Sequence, residues 1–205
     1  MVRGLSEQIQ TSHSTGLGLR IRPFTPEDLP TVKAFTDREI GLNYYSLDEL
    51  KDIYKRSLKD GTMCSLLIED ANGEVKGIRL SYPPGLWESG KGKGLHPEKW
   101  PFPRNQTAYF QSLFLSNDLQ GQGWGGKVSQ EALRLLRQTG ANGVVCHSWK
   151  ESPNNSSTRY LQKLGFEIVA EHPLYWSKLD YNCTRCGKPP CQCTALEMYL
   201  RIDSL

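Results

Sequence analysis

No apolar run in this 205-residue chain approaches the ~20 residues that span a bilayer, so the sequence predicts no membrane contact. Met1 to Gly16 is polar and lacks the apolar core of a signal peptide, which leaves the cytoplasm as the expected compartment. Charge of one sign is also scarce. Lys and Arg total 25 against 22 Asp and Glu, a net charge of +3, too mild for the concentrated basic face that nucleic acid requires. No internal repeat or low-complexity block is present. The length suits a single domain over 17–205, preceded by a flexible tail over 1–16, with a core large enough to need no disulfides.

Six cysteines are present. Cys64 and Cys146 sit alone in apolar, strand-like runs and read as core thiols. The other four, Cys183, Cys186, Cys191 and Cys193, crowd into the segment 181–194. In a reducing compartment such a cluster reads as a metal site before it reads as a disulfide framework. Cys-x-x-Cys-Gly forms a knuckle, Pro189 and Pro190 stiffen the return, and Cys-x-Cys closes it. Four thiolates suit a tetrahedral structural zinc; reduced thiols, a redox pair or an iron–sulfur cluster are the alternatives.

Leu19 and Ile21 alternate with Arg20 and Arg22, which predicts a strand; Thr25-Pro26-Glu27-Asp28 then starts a helix. A second helix opens at Ser46, with Glu49 placed for a capping box. Two strands, over 64–69 and 75–81, flank an Asn-Gly turn. The segment 83–106, rich in Gly, Pro and Lys with Trp87 and Trp100, reads as a loop insert. A strand over 108–115, a helix over 125–137, a Val-rich strand over 143–149 and a helix over 154–164 follow. The last two strands are placed at 166–170, extending toward Leu179, and at 195–202, with the cysteine hairpin between them. This order predicts an α/β fold with a mixed sheet and helices on both faces.

The most informative stretch is Gln120-Gly121-Gln122-Gly123-Trp124-Gly125-Gly126-Lys127, between a strand and an amphipathic helix. Glycines let the backbone turn tightly beside a bulky anion, and the N–H groups and dipole of the helix start favour negative charge there. Lys127 adds a cation. The run is no P-loop, because Val128 follows Lys127. Nor is it a dinucleotide fingerprint, which belongs after the first strand of a βαβ repeat. Chemically it is a diphosphate cradle.

At this point the chain resembles the GNAT superfamily of acyl-CoA N-acyltransferases. Gln120-x-x-Gly123-x-Gly125 matches that family's signature. Leu113-Phe114-Leu115 falls where its bulged fourth strand holds the pantetheine arm. Asn154 and Ser157, before Leu161-Gln162-Lys163-Leu164-Gly165-Phe166, resemble the helix after its fifth strand. Ile21 to Leu29 resembles its opening strand and helix. The resemblance covers about residues 19–202. It implies a mostly antiparallel central sheet of about seven strands, acetyl-CoA or another acyl-CoA as co-substrate, and a small-molecule or peptide amine as acceptor. It leaves the protein a monomer or homodimer.

Amide formation needs a neutral amine, a polarised thioester carbonyl and a proton for the sulfur. The resemblance implies that backbone amides near Phe114 and Leu115 hold the carbonyl. His147 on the fifth strand is the natural titrating group for the amine; its plainer reading is a core histidine. Tyr109 and Gln111, placed on the same strand face as Leu113, could order a relaying water. Many family members carry a tyrosine, the acid for the CoA thiolate, where this chain has Leu161. Tyr160 precedes that position by one residue, about 100° of helix rotation. The competing function is a non-catalytic acyl-CoA-binding or partner-binding module on the same fold. A nucleic-acid binder built on Lys91, Lys93, Lys99 and Arg104 with the two tryptophans is the weakest reading.

Overall fold

The structure, a computed structural model, describes residues 18–42, 44–87, 94–179 and 181–203. The expected tail over 1–16 and the lysines Lys91 and Lys93 lie outside the described residues. Seven strands form one sheet: β1 (Arg20–Pro23), β2 (Leu66–Glu69), β3 (Val75–Tyr82), β4 (Thr107–Leu115), β5 (Gly143–Trp149), β6 (Glu167–His172) and β7 (Ala195–Arg201). Their spatial order is β1-β2-β3-β4-β5-β7-β6. Every pairing is antiparallel except β4 with β5. Four helices complete the fold: α1 (Leu29–Glu39), α2 (Leu47–Ser57), α3 (Trp124–Gln138) and α4 (Ser156–Lys163).

The helices start where local chemistry dictates. Ser46 Oγ accepts from the Glu49 N–H at 3.1 Å, while the Glu49 carboxylate accepts from the Ser46 N–H at 2.8 Å. Asp28 caps the first turn by accepting from both Thr25 N–H and Thr25 Oγ1. Between β2 and β3, Asp70 Oδ1 accepts from the Asn72 and Glu74 N–H groups. Gly73 there takes φ +80°, a left-handed angle that favours glycine.

Both faces of the sheet are covered. On one, Leu66, Ile68, Phe110 and Met198 pack with Val128, Leu133 and Leu161 of α3 and α4. On the other, Leu67, Leu80, Val145 and Tyr199 pack with Val32 and Phe35 of α1 and Leu50 and Ile53 of α2. Cys64 and Cys146 are buried on the α3/α4 face, where burial pushes each thiol up to about 12.

Two expectations need correction. The strand expected to extend toward Leu179 ends at His172, and a run of turns carries the chain to the cysteine segment. The tryptophans of the 83–106 insert are core residues. Trp87 donates from Nε1 to the Thr107 carbonyl, and both rings pack with the aromatic cluster around Tyr109 and Tyr199. Burying two large rings anchors the insert to the sheet, so neither ring faces solvent.

Candidate active site and metal centre

The site grows from a single irregularity in β4. Ser112 pairs with Leu80, but the next β3 residue, Ser81, pairs with Phe110. Gln111 is therefore an extra residue, a β-bulge. A bulge reverses the alternation of side chains along its strand. Before it, Tyr109 faces the α1/α2 side and Phe110 the α3/α4 side. After it, Phe114 faces α1/α2, while Leu113 and Leu115 pack toward α3/α4. Tyr109 and Leu113 thus lie on opposite faces, contrary to the simple period-two expectation.

The bulge coincides with a parting of strands. β4 and β5 pair from Thr107 with Gly143 to Phe110 with Cys146. Beyond that point, Ser112–Leu115 pairs with β3, and His147–Trp149 pairs with β7. A V-shaped opening results, whose one edge is an unpaired stretch of β4 backbone. Such an edge can hydrogen-bond an extended ligand arm.

The glycine run lies at the far end of that edge. Gln120 donates from Nε2 to the Leu115 carbonyl at 3.2 Å and to Asn117 Oδ1 at 3.1 Å, tying the turn to β4. Gly121 and Gly123 take φ +76° and +82°, left-handed angles at which side chains are strained. No atom lies within 4 Å of where a Cβ would stand on Gly121, Gly123 or Gly126, so the cradle is open above the backbone. A Cβ on Gly125 would approach Leu113 Cδ2 to 3.2 Å. The Trp124 side chain is only 4% exposed and packs in the core, so this residue can offer a ligand only its backbone N–H. Lys127 holds its Nζ 4.4 Å from the Trp124 ring centroid, beside the first turn of α3. The N–H groups of that turn have no intrahelical acceptors. Cradle, cation and open strand edge together fit a diphosphate joined to an extended arm, the shape of coenzyme A.

On the other side of the V, α4 begins after two left-handed residues, Asn154 and Asn155, each at φ 53°. Ser152 Oγ caps the helix by accepting from the Ser157 N–H at 3.0 Å, and Ser148 Oγ on β5 donates to Ser157 Oγ at 3.0 Å. Leu161 is buried in the core. The Tyr160 hydroxyl meets Arg79 Nη2 of β3 at 2.9 Å and Ser129 Oγ of α3 at 3.4 Å. Arg79 stacks its guanidinium 3.5 Å from the Phe110 ring centroid, at the last paired residue before the strands part. Tyr160 therefore points to the vertex of the V on the α3/α4 face. Burial raises its phenol, and Arg79 and Ser129 oppose that rise.

His147 stands just past the vertex, on the α1/α2 side. Its Nδ1 meets the Tyr109 hydroxyl at 2.8 Å and the Tyr175 hydroxyl at 3.3 Å. Nε2 is buried and has no hydrogen-bond partner among the described residues. Burial, reinforced by the neighbouring His172, lowers His147 to about 4, so the ring is neutral at pH 7. Directly across the β5–β7 pair is Glu197, a fully buried carboxylate that sequence reasoning did not single out. The period-two pattern of Ala195–Arg201 could have exposed it, since Glu197 falls on the same face as Tyr199 in a strand whose other residues are apolar up to the exposed Arg201 at its end.

The four clustered cysteines converge between β6 and β7. All four Sγ atoms lie within 4.8 Å of one another, with Cys186–Cys193 at 3.6 Å and Cys183–Cys193 at 3.9 Å, and none forms a disulfide. Cys183 and Gly187 exchange backbone hydrogen bonds at 2.9 and 2.8 Å, closing the knuckle, with Gly187 at φ +77°. The Gln192 N–H donates to Cys186 Sγ at 3.4 Å, as backbone amides do around zinc-bound sulfur. Burial raises the Cys183 thiol, while the N–H groups of Cys186 and Arg185 and the neighbouring Cys191 and Cys193 thiols together bring it below its ordinary value. Four thiols in mutual contact, sulfur-directed amides and no disulfide fit a thiolate-bound metal. Tyr181 links this knuckle to the cleft: its ring meets Tyr44 edge-on, and Tyr44 meets Phe114 edge-on, both at 5.9 Å.

Among the described residues no helix is long and apolar enough to cross a membrane. No curated relative matches the chain. Solved structures share its fold at low identity. Ard1 from Thermoplasma volcanium is 17% identical, with a TM-score of 0.64 over 90% of this chain and 98% of that one. The putative acetyltransferase yncA from Salmonella typhimurium, solved with its cofactor acetyl-CoA, is 18% identical, with a TM-score of 0.65 over 92% and 96%. The ribosomal-protein-S18-alanine N-acetyltransferase from Escherichia coli is 13% identical, with a TM-score of 0.62 over 91% and 96%. The family described as "Acetyltransferase (GNAT) family" matches residues 38–166, more than half of the sequence, and the chain belongs to it.

Proposed function

We propose that this protein transfers an acetyl or other short acyl group from acyl-CoA to the primary amine of a small molecule or peptide. The observation that carries the reading is the V between β4 and β5, which opens at the Gln111 bulge and leads to the glycine cradle at the start of α3. In this reading the diphosphate lies on the backbone of Gln120 to Gly126, near Lys127. The pantetheine arm follows Leu113, Phe114 and Leu115, and it is bordered by Asn154 in the turn before α4 and by Ser157 in its first turn.

Two side chains are proposed for the chemistry. Tyr160, at the vertex on the cofactor face, protonates the leaving thiolate; Arg79 beside it steadies the phenolate that results. His147, neutral at pH 7 with Nδ1 engaged, offers Nε2 to the amine proton or to a water that relays it. The cysteine knuckle is proposed to hold a structural zinc through Cys183, Cys186, Cys191 and Cys193. The metal would fix the position of Tyr181 and, through Tyr44, one wall of the acceptor side.

The test is thiol release from acetyl-CoA across a panel of amines and peptide N-termini, with calorimetric CoA binding in parallel. Turnover on any amine supports the transferase. Tight CoA binding with no turnover would favour the non-catalytic module, a reading motivated by the buried leucine at position 161.

A further inference from the structure

A second constellation of metal-ligand side chains lies outside the cysteine knuckle. His96 comes from the 83–106 insert, His172 ends β6, and Glu197 sits in the middle of β7. His96 Nδ1 lies 2.9 Å and His172 Nε2 3.1 Å from the same carboxylate oxygen, Glu197 Oε2. All three ligand atoms lie within 4.8 Å of one another. In a tetrahedral zinc site with bonds of about 2.1 Å, neighbouring ligand atoms stand roughly 3.4 Å apart. The two nitrogen–oxygen separations fall short of that edge by roughly 0.5 Å or less, so outward ring movements on that scale would open them for an ion.

The surroundings resemble a built site more than a chance contact. The other carboxylate oxygen, Oε1, accepts from Trp100 Nε1 at 2.7 Å and from the His96 N–H at 3.0 Å, which locks the carboxylate with Oε2 aimed at the two imidazoles. Donors placed behind a carboxylate in this way orient it as a ligand. Glu197 is 0% exposed, and the His172 side chain is 11% exposed. The insert backbone is pressed onto His172: a Cβ on Gly94, at φ +79°, would stand 2.6 Å from His172 Nδ1. Only glycine allows that approach, and the approach seats His96 beside Glu197.

We propose that His96 Nδ1, His172 Nε2 and Glu197 Oε2 bind a divalent transition-metal ion of the zinc class. Two neutral imidazoles and one carboxylate are a ligand set suited to zinc. Three protein ligands leave one coordination position for water or a further donor. One ion would take the place of the ring protons that now face Oε2; in each neutral imidazole that proton moves to the other ring nitrogen, so the ligating nitrogen presents its lone pair and no net proton is lost. The ion would clamp the insert to the end of β6 and the middle of β7, beside His147, whose ring centroid lies 5.5 Å from that of His172.

The experiment uses the full chain, loaded with excess zinc, desalted and assayed for metal by mass spectrometry. Wild type is expected to hold about one equivalent more than His96→Ala, whether or not the cysteine knuckle is filled. His96 is partly exposed, so its truncation should leave the fold intact, and His96→Gln, which keeps a donor for Glu197, is the second variant. Cobalt titration gives an independent readout. The wild-type spectrum minus that of either variant should show a weak visible band without sulfur-to-metal charge transfer, the thiolate bands of the knuckle cancelling in the difference. Equal zinc content in wild type and both variants, with no such cobalt band in the difference, would overturn the proposal and leave a carboxylate held by protons alone. Neither readout depends on acyl transfer.

Discussion

Arg79 Nη2 donates to the Tyr160 hydroxyl at 2.9 Å, joining β3 to α4 beneath the vertex of the strand opening. The guanidinium is 3% exposed, its Nε has no hydrogen-bond partner, and no carboxylate among the described residues bonds to it. Burial without an acid partner lowers the Arg79 guanidinium from its ordinary value. Tyr160→Phe should therefore act twice. Turnover should fall by roughly 10²-fold with little change in CoA affinity, the usual scale for losing a general acid. Stability should fall by about 1–3 kcal/mol, because Arg79 Nη2 loses its acceptor. Steady-state kinetics and urea unfolding on the same variant separate the two effects. An unchanged kcat would show that solvent or another group supplies the thiolate proton.

Gly123→Val tests the cradle. Its ideal Cβ meets nothing within 4 Å, so crowding does not oppose the change. The φ of +82° does, at roughly 1–2 kcal/mol for an L side chain. Either the new side chain then stands in the open cradle or the backbone turns its N–H groups away. Calorimetry should show at least a tenfold loss of CoA affinity in a protein that remains folded. Wild-type affinity in the folded variant would dismiss the cradle assignment.

The knuckle should carry one thiol-bound zinc per chain. Cobalt substitution should give strong sulfur-to-cobalt charge transfer, abolished in Cys186→Ser. A chelator should loosen 181–194 without unfolding the sheet, since the two sheet cores do not include these cysteines. Hydrogen exchange should rise around Tyr181 and, through the aromatic contacts, around Tyr44. Four freely titratable thiols in protein purified without chelator would remove the metal.

His147 makes the fold sensitive to acid. Its folded value of about 4 lies below the ordinary 6.5, so the unfolded chain binds the additional proton between those limits. Stability contributed by the neutral ring is full above the unfolded value and is lost as pH falls toward about 4. The loss should approach roughly 2–3 kcal/mol, because each tenfold difference in proton affinity between the two states is worth about 1.4 kcal/mol. Urea midpoints at pH 7 and pH 5 should differ less in His147→Gln than in wild type. Parallel pH dependence in the two proteins would place the acid sensitivity elsewhere.

Much of this protein is local and therefore legible in its sequence. The cap at Ser46, the Asp70–Gly73 turn and the glycine run before α3 each follow from residues within a few positions of one another. The element order follows from periodicity, and that order with the spacing of Gln120, Gly123 and Gly125 is enough for the family resemblance. The cysteine knuckle is equally local, its four thiols falling within eleven positions from Cys183 to Cys193.

What the sequence could not decide depends on contacts between distant segments. The bulge at Gln111 exists because β3 offers Leu80 and Ser81 to Ser112 and Phe110, and that register sets which face Tyr109 and Leu113 occupy. The period of a strand carries no mark of an extra residue. Tyr160 reaches the vertex because Arg79, 81 residues away, supplies a buried donor for its hydroxyl. His96 and His172 meet Glu197 across separations of 101 and 25 residues. A carboxylate in an apolar strand shows its purpose only when the fold delivers its partners, because burial must be matched by donors that arrive from elsewhere in the chain.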